Sequence, residues 1–230
     1  MPYRSDTESC LGDGSAAGHS GTCGGGALEC RCGAECCSVF PFDAVLTDFD
    51  GVLRHFDHAA QAEIEARYGL PLRKTAFDPG LILPPTLGHL TEAQWAESIA
   101  TALGGDERAR QAVAEFMAIE FWVDEEVKAL LAKAQERVPV IIVTNAMDTL
   151  EEHIDRLGLT YFADDVVSSA RVGVAKPDPR IYRIAAERAG ADPGRCLFVD
   201  DRLPNVEAAI ALGMTGVHYR TLKDLAGVLS

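Results

Sequence analysis

Basic residues are in short supply: 21 Lys and Arg face 35 Asp and Glu in 230 residues, a formal net charge of −14. A surface this acidic repels phosphate backbones, which argues against nucleic acid as a partner. Long apolar runs are missing too. No stretch nears the roughly 18 consecutive apolar residues that a membrane span requires, so no membrane partner is expected. Residues 1–39 lack a basic segment followed by an apolar one, and no secretory signal is read there. The expectation is a soluble, cytoplasmic protein. With 47% hydrophobic and 24% charged residues, the chain suits one domain with an insertion, or two small domains.

Cysteine is nearly absent from the body of the chain. Six of the seven (Cys10, Cys23, Cys30, Cys32, Cys36 and Cys37) precede residue 40, and only Cys196 follows. That opening stretch also holds eight of the 21 glycines, while its large apolar residues between Pro2 and Ser38 are Tyr3, Leu11 and Leu28 alone. So little apolar surface cannot offset chain entropy, and residues 1–40 read as a Cys/Gly-rich disordered tail. The thiols lack the paired C-x2-C knuckles of a zinc site, so no metal is assigned to them.

From Phe42 onward, short apolar runs alternate with helical periodicity. Candidate strands are 43–48, 138–144, 165–168, 196–200 and 214–219; the second is a continuous β-branched run, as in sheets covered on both faces. Helices fall between them. Asp148 with Glu151 suggests a capping box with Gly158 as the stop, and Asp178-Pro179 an N-cap with proline at the first helical position. A third helix runs over 204–212, with Val206, Ala209 and Ile210 on one side. Such alternation implies a doubly wound α/β fold with a parallel sheet. Roughly ninety residues between the first two strands carry no convincing strand and read as helices at 59–68, 91–103 and 106–117. They form a helical module inserted after strand one, and a helix at 124–135 returns to the core. Thr91 and Gln94 make a capping box there, with Trp95 and Ile99 on the buried face.

In an open parallel sheet, ligands bind beyond the carboxyl ends of the strands. Asp48-Phe49-Asp50-Gly51-Val52 follows the first strand, Thr144-Asn145 the second, and Asp200-Asp201 the fourth; Lys176-Pro177 precedes the Asp178 cap. Each motif alone is weak. Together, four acids on one sheet edge would repel strongly without a cation between them.

These motifs, in this order, resemble those of the haloacid dehalogenase superfamily. The resemblance covers residues 42–220: Asp48-x-Asp50-Gly51-Val52 is similar to its motif I, Thr144-Asn145 to motif II, Lys176-Pro-Asp-Pro179 to motif III and Asp200-Asp201 to motif IV. It implies a catalytic core at 41–54 and 121–230, with 55–120 as a C1-type cap like that of the phosphoglycolate phosphatase and β-phosphoglucomutase branches. It also implies phosphoryl transfer rather than dehalogenation, since the dehalogenases carry a different residue where Asp50 stands.

The chemistry of the residues supplies matching roles. Asp48, the Asp50 carbonyl, Asp200 and Asp201 would form a hard-oxygen Mg²⁺ site. Asp48 would attack phosphorus to give an aspartyl-phosphate, and Asp50 would protonate the leaving oxygen and later activate water. The Thr144 hydroxyl and Asn145 amide would hold phosphoryl oxygens, and Lys176 would neutralise charge. The expected activity is a Mg²⁺-dependent phosphohydrolase acting on a small phosphorylated metabolite. A phosphomutase and a non-catalytic binding or regulatory protein of the same fold are the alternatives. Arg54, His55, His58, His89 and Trp95 are candidates for substrate choice, and Lys74 is the early lysine a Schiff-base phosphonatase would need.

Overall fold

The computed structural model describes residues 40–229; the readings of the Cys/Gly-rich tail fall outside them. A five-stranded, all-parallel sheet is built from β1 (Ala44–Thr47), β4 (Val140–Thr144), β5 (Asp165–Ser168), β6 (Cys196–Asp200) and β7 (Thr215–His218), in the order β5-β4-β1-β6-β7. All of β1, β4 and β6 is buried, as a run covered on both faces requires. Alternation along the strands sorts the core into two layers. Val45, Val140, Ile142, Leu197 and Val199 face α6 (Glu125–Gln135), α7 (Leu150–Arg156) and α11 (Leu222–Leu229). Leu46, Ile141, Val143 and Phe198 face the other way, onto α9 (Pro179–Arg188) and α10 (Leu203–Ile210). Helices therefore cover both faces of the sheet, as the sequence predicts, and all strand carboxyl ends share one edge.

Between β1 and α6 the chain makes five helices: α1 (His58–Tyr68), α2 (Leu72–Ala76), α3 (Pro79–Thr86), α4 (Glu92–Ala102) and α5 (Glu107–Met117). They pack around their own cluster of Leu72, Trp95, Ile99, Val113 and Phe116. The Thr91–Gln94 capping box is formed in both directions. Two features depart from the sequence reading. Short strands β2 (Arg54–Phe56) and β3 (Phe121–Val123) pair antiparallel and make a stem where the insert leaves and rejoins the core. And α2 and α3 escape the pattern, one being five residues long and the other carrying Pro84 and Pro85 in its last turn.

The capping box read at Asp148 and Glu151 is also corrected. Helix α7 begins after Thr149 with no side-chain cap. Asp148 instead accepts the amide of Glu92 at 2.8 Å, capping the N-terminus of α4 across the insert–core boundary, and Glu151 pairs with Arg171 at 2.7 Å. Asp148 is one of several contacts on this side. Ser169, in the short α8 (Ser169–Val172), donates its hydroxyl to Thr86 O at 2.7 Å and accepts from the Ala146 amide at 3.0 Å. Met147 packs against the insert's cluster. Gly88 passes so close to the Ala170 carbonyl that a Cβ would sit 2.4 Å from its oxygen. On α10, Ile210 is half exposed where burial is expected, while Val206 and Ala209 are buried.

Candidate active site

The acids of the first motif follow β1 directly. The Asp48 amide donates to Val199 O at 2.8 Å, which ties the first loop residue to β6. The residue is buried, and its Oδ1 accepts from the Phe49 amide and from Lys176 Nζ, both at 2.7 Å. Lys176 Nζ donates equally to Asp200 Oδ2 at 2.7 Å, so one buried ammonium bridges two buried carboxylates. Burial opposes its charge, but Asp48 and Asp200 outweigh burial and keep the lysine protonated above its ordinary value. Burial pushes the Asp48 carboxyl well above the usual range; Lys176 pulls it down, and the Asp200 and Asp50 charges push it further up.

Asp200, Asp201 and Asp48 each present a carboxylate oxygen within 4.8 Å of the others. Such a set of hard oxygens suits a small divalent cation. Gly51 permits it: its φ is +83°, and a Cβ there would lie 2.4 Å from Asp201 Oδ2. Asp200 is the most committed member. Its two oxygens already accept from Lys176, from Asn205 Nδ2 at 3.0 Å and from the Arg202 amide at 2.8 Å. Asp201 is exposed, and burial of part of its side chain, with the Asp200 charge beside it, raises its carboxyl.

The Thr144 hydroxyl is buried and has no hydrogen-bond partner among the described residues; neither has Ser168 Oγ, its register partner on β5. A buried hydroxyl without a partner costs free energy that a ligand oxygen can offset. Asn145 has both ends of its amide engaged: its Nδ2 donates to Lys176 O at 2.9 Å and its Oδ1 accepts from the Lys176 amide at 2.8 Å, so the side chain braces the lysine's loop.

The sequence reading missed what surrounds Asp50. Arg54 is 5% exposed and grips Asp50 in two places, Nε to Oδ1 at 2.5 Å and Nη2 to Oδ2 at 3.0 Å. The rings of Phe49, Phe56 and Phe121 lie 4.6, 4.8 and 5.2 Å from its guanidinium carbon. Nη1 meets His153 Nδ1, from α7, at 2.9 Å. The spacing from Asp50 to Arg54 was visible, but the convergence of Phe121 and His153 depends on the tertiary fold. Among the other candidates, Trp95 is buried and donates to Ala76 O, while His58, His89 and Lys74 are exposed. A cavity of about 380 Å³ opens beside His89, Thr91, Gln94, Met147, Asp148 and Arg171, and none of Asp48, Asp50, Asp200 and Asp201 lines it.

The model of haloacid dehalogenase-like hydrolases matches residues 42–213. The chain belongs to this family. Within the family, it is 29% identical over 185 residues to a phosphatase of Mycobacterium tuberculosis, covering 76% of this chain and 83% of that one. It is 31% identical over 149 residues to a phosphoserine phosphatase of Thermus thermophilus, covering 63% of this chain but only 57% of the relative. A HAD family enzyme from Bacteroides thetaiotaomicron, solved with magnesium and inorganic phosphate, has the same fold with a TM-score of 0.62 at 23% identity, over 76% of this chain and 92% of that one. No helix among the described residues is long and apolar enough to cross a membrane.

Proposed function

We propose that this family member is a Mg²⁺-dependent phosphohydrolase of small phosphomonoesters, working through an aspartyl-phosphate on Asp48. The observation that carries the reading is the Asp48 carboxylate itself. It is buried at the sheet edge with Oδ1 held by Lys176 and the Phe49 amide, next to two further carboxylates. Pinning one oxygen aims the other, Oδ2, along a fixed line. Oδ2 forms the bond to phosphorus as the P–O bond to the alcohol breaks, and the departing oxygen takes its proton from Asp50. Asp50 then accepts a proton from water as that water's oxygen attacks phosphorus, releasing inorganic phosphate and Asp48.

Asp48 and Asp201, the Asp50 carbonyl and Asp200 would hold Mg²⁺, which supplies charge neutralisation around the phosphoryl oxygens when bound. The unpartnered Thr144 hydroxyl donates to a phosphoryl oxygen, with Asn145 keeping Lys176 in place. Residues 55–120 serve as the C1-type cap over this edge and 41–54 with 121–230 as the core, a division supported by the insert's separate apolar cluster and two-stranded stem. The named activities of the Mycobacterium and Thermus relatives favour phosphatase over mutase. A cytoplasmic setting among small phosphorylated metabolites belongs to the same reading.

Phosphate release from p-nitrophenyl phosphate and a panel of sugar, nucleotide and organic-acid phosphates tests the proposal. Turnover should need Mg²⁺, stop in EDTA and return with added Mg²⁺. Full activity in excess EDTA, or no release from any ester, sinks it.

A further inference from the structure

Asp50 is held from one side only. Its side chain is 37% exposed while that of Arg54 is 6% exposed, so the guanidinium grips the carboxylate from beneath and leaves its outer lone pairs toward the open edge. A carboxylate on a strand-end loop rotates freely about its last bond; two parallel N–H···O bonds stop that rotation. Among the described residues Arg54 has no other carboxylate within ion-pair reach, and three aromatic rings pack against its guanidinium. Its backbone is fixed as well, the amide donating to Phe49 O at 2.7 Å and the carbonyl accepting from the Gly51 amide at 2.8 Å.

We propose that Arg54, oriented by His153, is the positioning residue for Asp50 in phosphoryl transfer, fixing the carboxylate edge-on and tying its placement to the stem of the inserted helices. The inference rests on the phosphohydrolase reading and deepens it. A guanidinium can only donate, so His153 accepts at Nδ1 and carries its proton on Nε2. Burial, with the charges of Arg54 and Arg156, pushes His153 down to about 4, consistent with that neutral form. Arg54 is the first residue of β2, paired with Val123 of β3 where the chain re-enters the core. The grip on Asp50 and the root of the insert are thus one side chain.

A positioned acid matters most where the leaving oxygen is a strong base. The test compares kcat and KM for phenyl phosphate and p-nitrophenyl phosphate in wild type, Arg54→Gln, His153→Leu and His153→Asn. Arg54→Gln should lower kcat for phenyl phosphate at least ~10-fold, inside the range that acid–base catalysis supplies, and for p-nitrophenyl phosphate less than ~3-fold. The Mg²⁺ concentration for half-maximal rate should stay within about twofold, since the ligand at Asp50 is a backbone carbonyl. His153→Leu should reproduce the selective loss in weaker form, and His153→Asn, whose Oδ1 falls near the lost Nδ1, should restore most of it. Equal losses on both esters, or none, would overturn the inference. Should Arg54→Gln not fold, the Leu and Asn variants decide alone: an unchanged ester ratio in His153→Leu refutes it. A wild type inactive on both esters would instead remove the phosphohydrolase reading.

Discussion

Lys176 is the residue on which the most charge depends. One ammonium bridges two buried carboxylates, and removing one partner of a buried pair typically costs ~3–5 kcal/mol because a naked charge remains. Lys176→Met should therefore lower Tm strongly, and Mg²⁺ should recover part of the loss by taking over neutralisation of Asp48 and Asp200. A Tm insensitive to Mg²⁺ in that variant would count against a cation between those acids. Asp48→Asn should abolish turnover, and rapid quench with labelled ester should find label on wild-type Asp48 and none in the variant. Gly51→Ala meets both a left-handed φ and the Asp201 oxygen. It should weaken Mg²⁺ by roughly 10–100-fold, as disturbed ligand support does, read from the Mg²⁺ dependence of the rate. His153 gives a pH signature. In the fold it titrates near 4, whereas an unfolded chain binds the proton near 6.5, so its contribution to stability is complete above 6.5 and is lost as pH falls toward 4. The Tm difference between wild type and His153→Asn should shrink over that interval; a constant difference would refute the assignment.

At the scale of elements, the contact between insert and core turns on Ser169. Ser169→Ala leaves a buried carbonyl at Thr86 and an amide at Ala146 without this partner, a loss of about 1–3 kcal/mol. Thermal unfolding should register it while p-nitrophenyl phosphate turnover persists; an unchanged Tm would show that the bridge contributes nothing. The elements that carry the site were legible because their signals are local. Val140–Thr144 declares a doubly covered strand by composition, Asp178-Pro179 and Thr91-x-x-Gln94 declare helix starts by cap chemistry, and the acids announce strand ends by position. What escaped was tertiary or very short. A three-residue strand such as β2 has no period to detect, and Asp148 reads as a cap for its own helix because nothing in sequence points to α4. The brace between Asn145 and Lys176 is hidden for the same reason: the carbonyl and amide that Asn145 satisfies lie thirty-one positions away.

At the scale of the molecule, the compact unit containing every motif begins at Phe40 rather than after it. Phe40 stacks edge-on against Phe42 at 5.9 Å and lies under the Arg137 guanidinium. A chain starting at residue 40 should match the full-length protein in Tm and kcat, whereas one starting at 43 should lose stability, since Phe42 belongs to the core layer. Equal Tm values for the two would argue that this packing is idle.

The loop that ends β4 does two jobs at once: Thr144 faces the proposed phosphate, and three residues later the same loop is anchored in the insert by Met147, Asp148 and the Ala146–Ser169 bridge. Occupancy and posture are then two readings of one balance. If inorganic phosphate favours one arrangement of this loop, the energy it gains there must reappear, with equal size, in how firmly α3 and α4 are seated. An insert rooted at both its stem and its far side would answer the ligand by tightening in place, so slower amide exchange along α4, rather than a swing of the whole module, is the motion to look for when Mg²⁺ and phosphate are added.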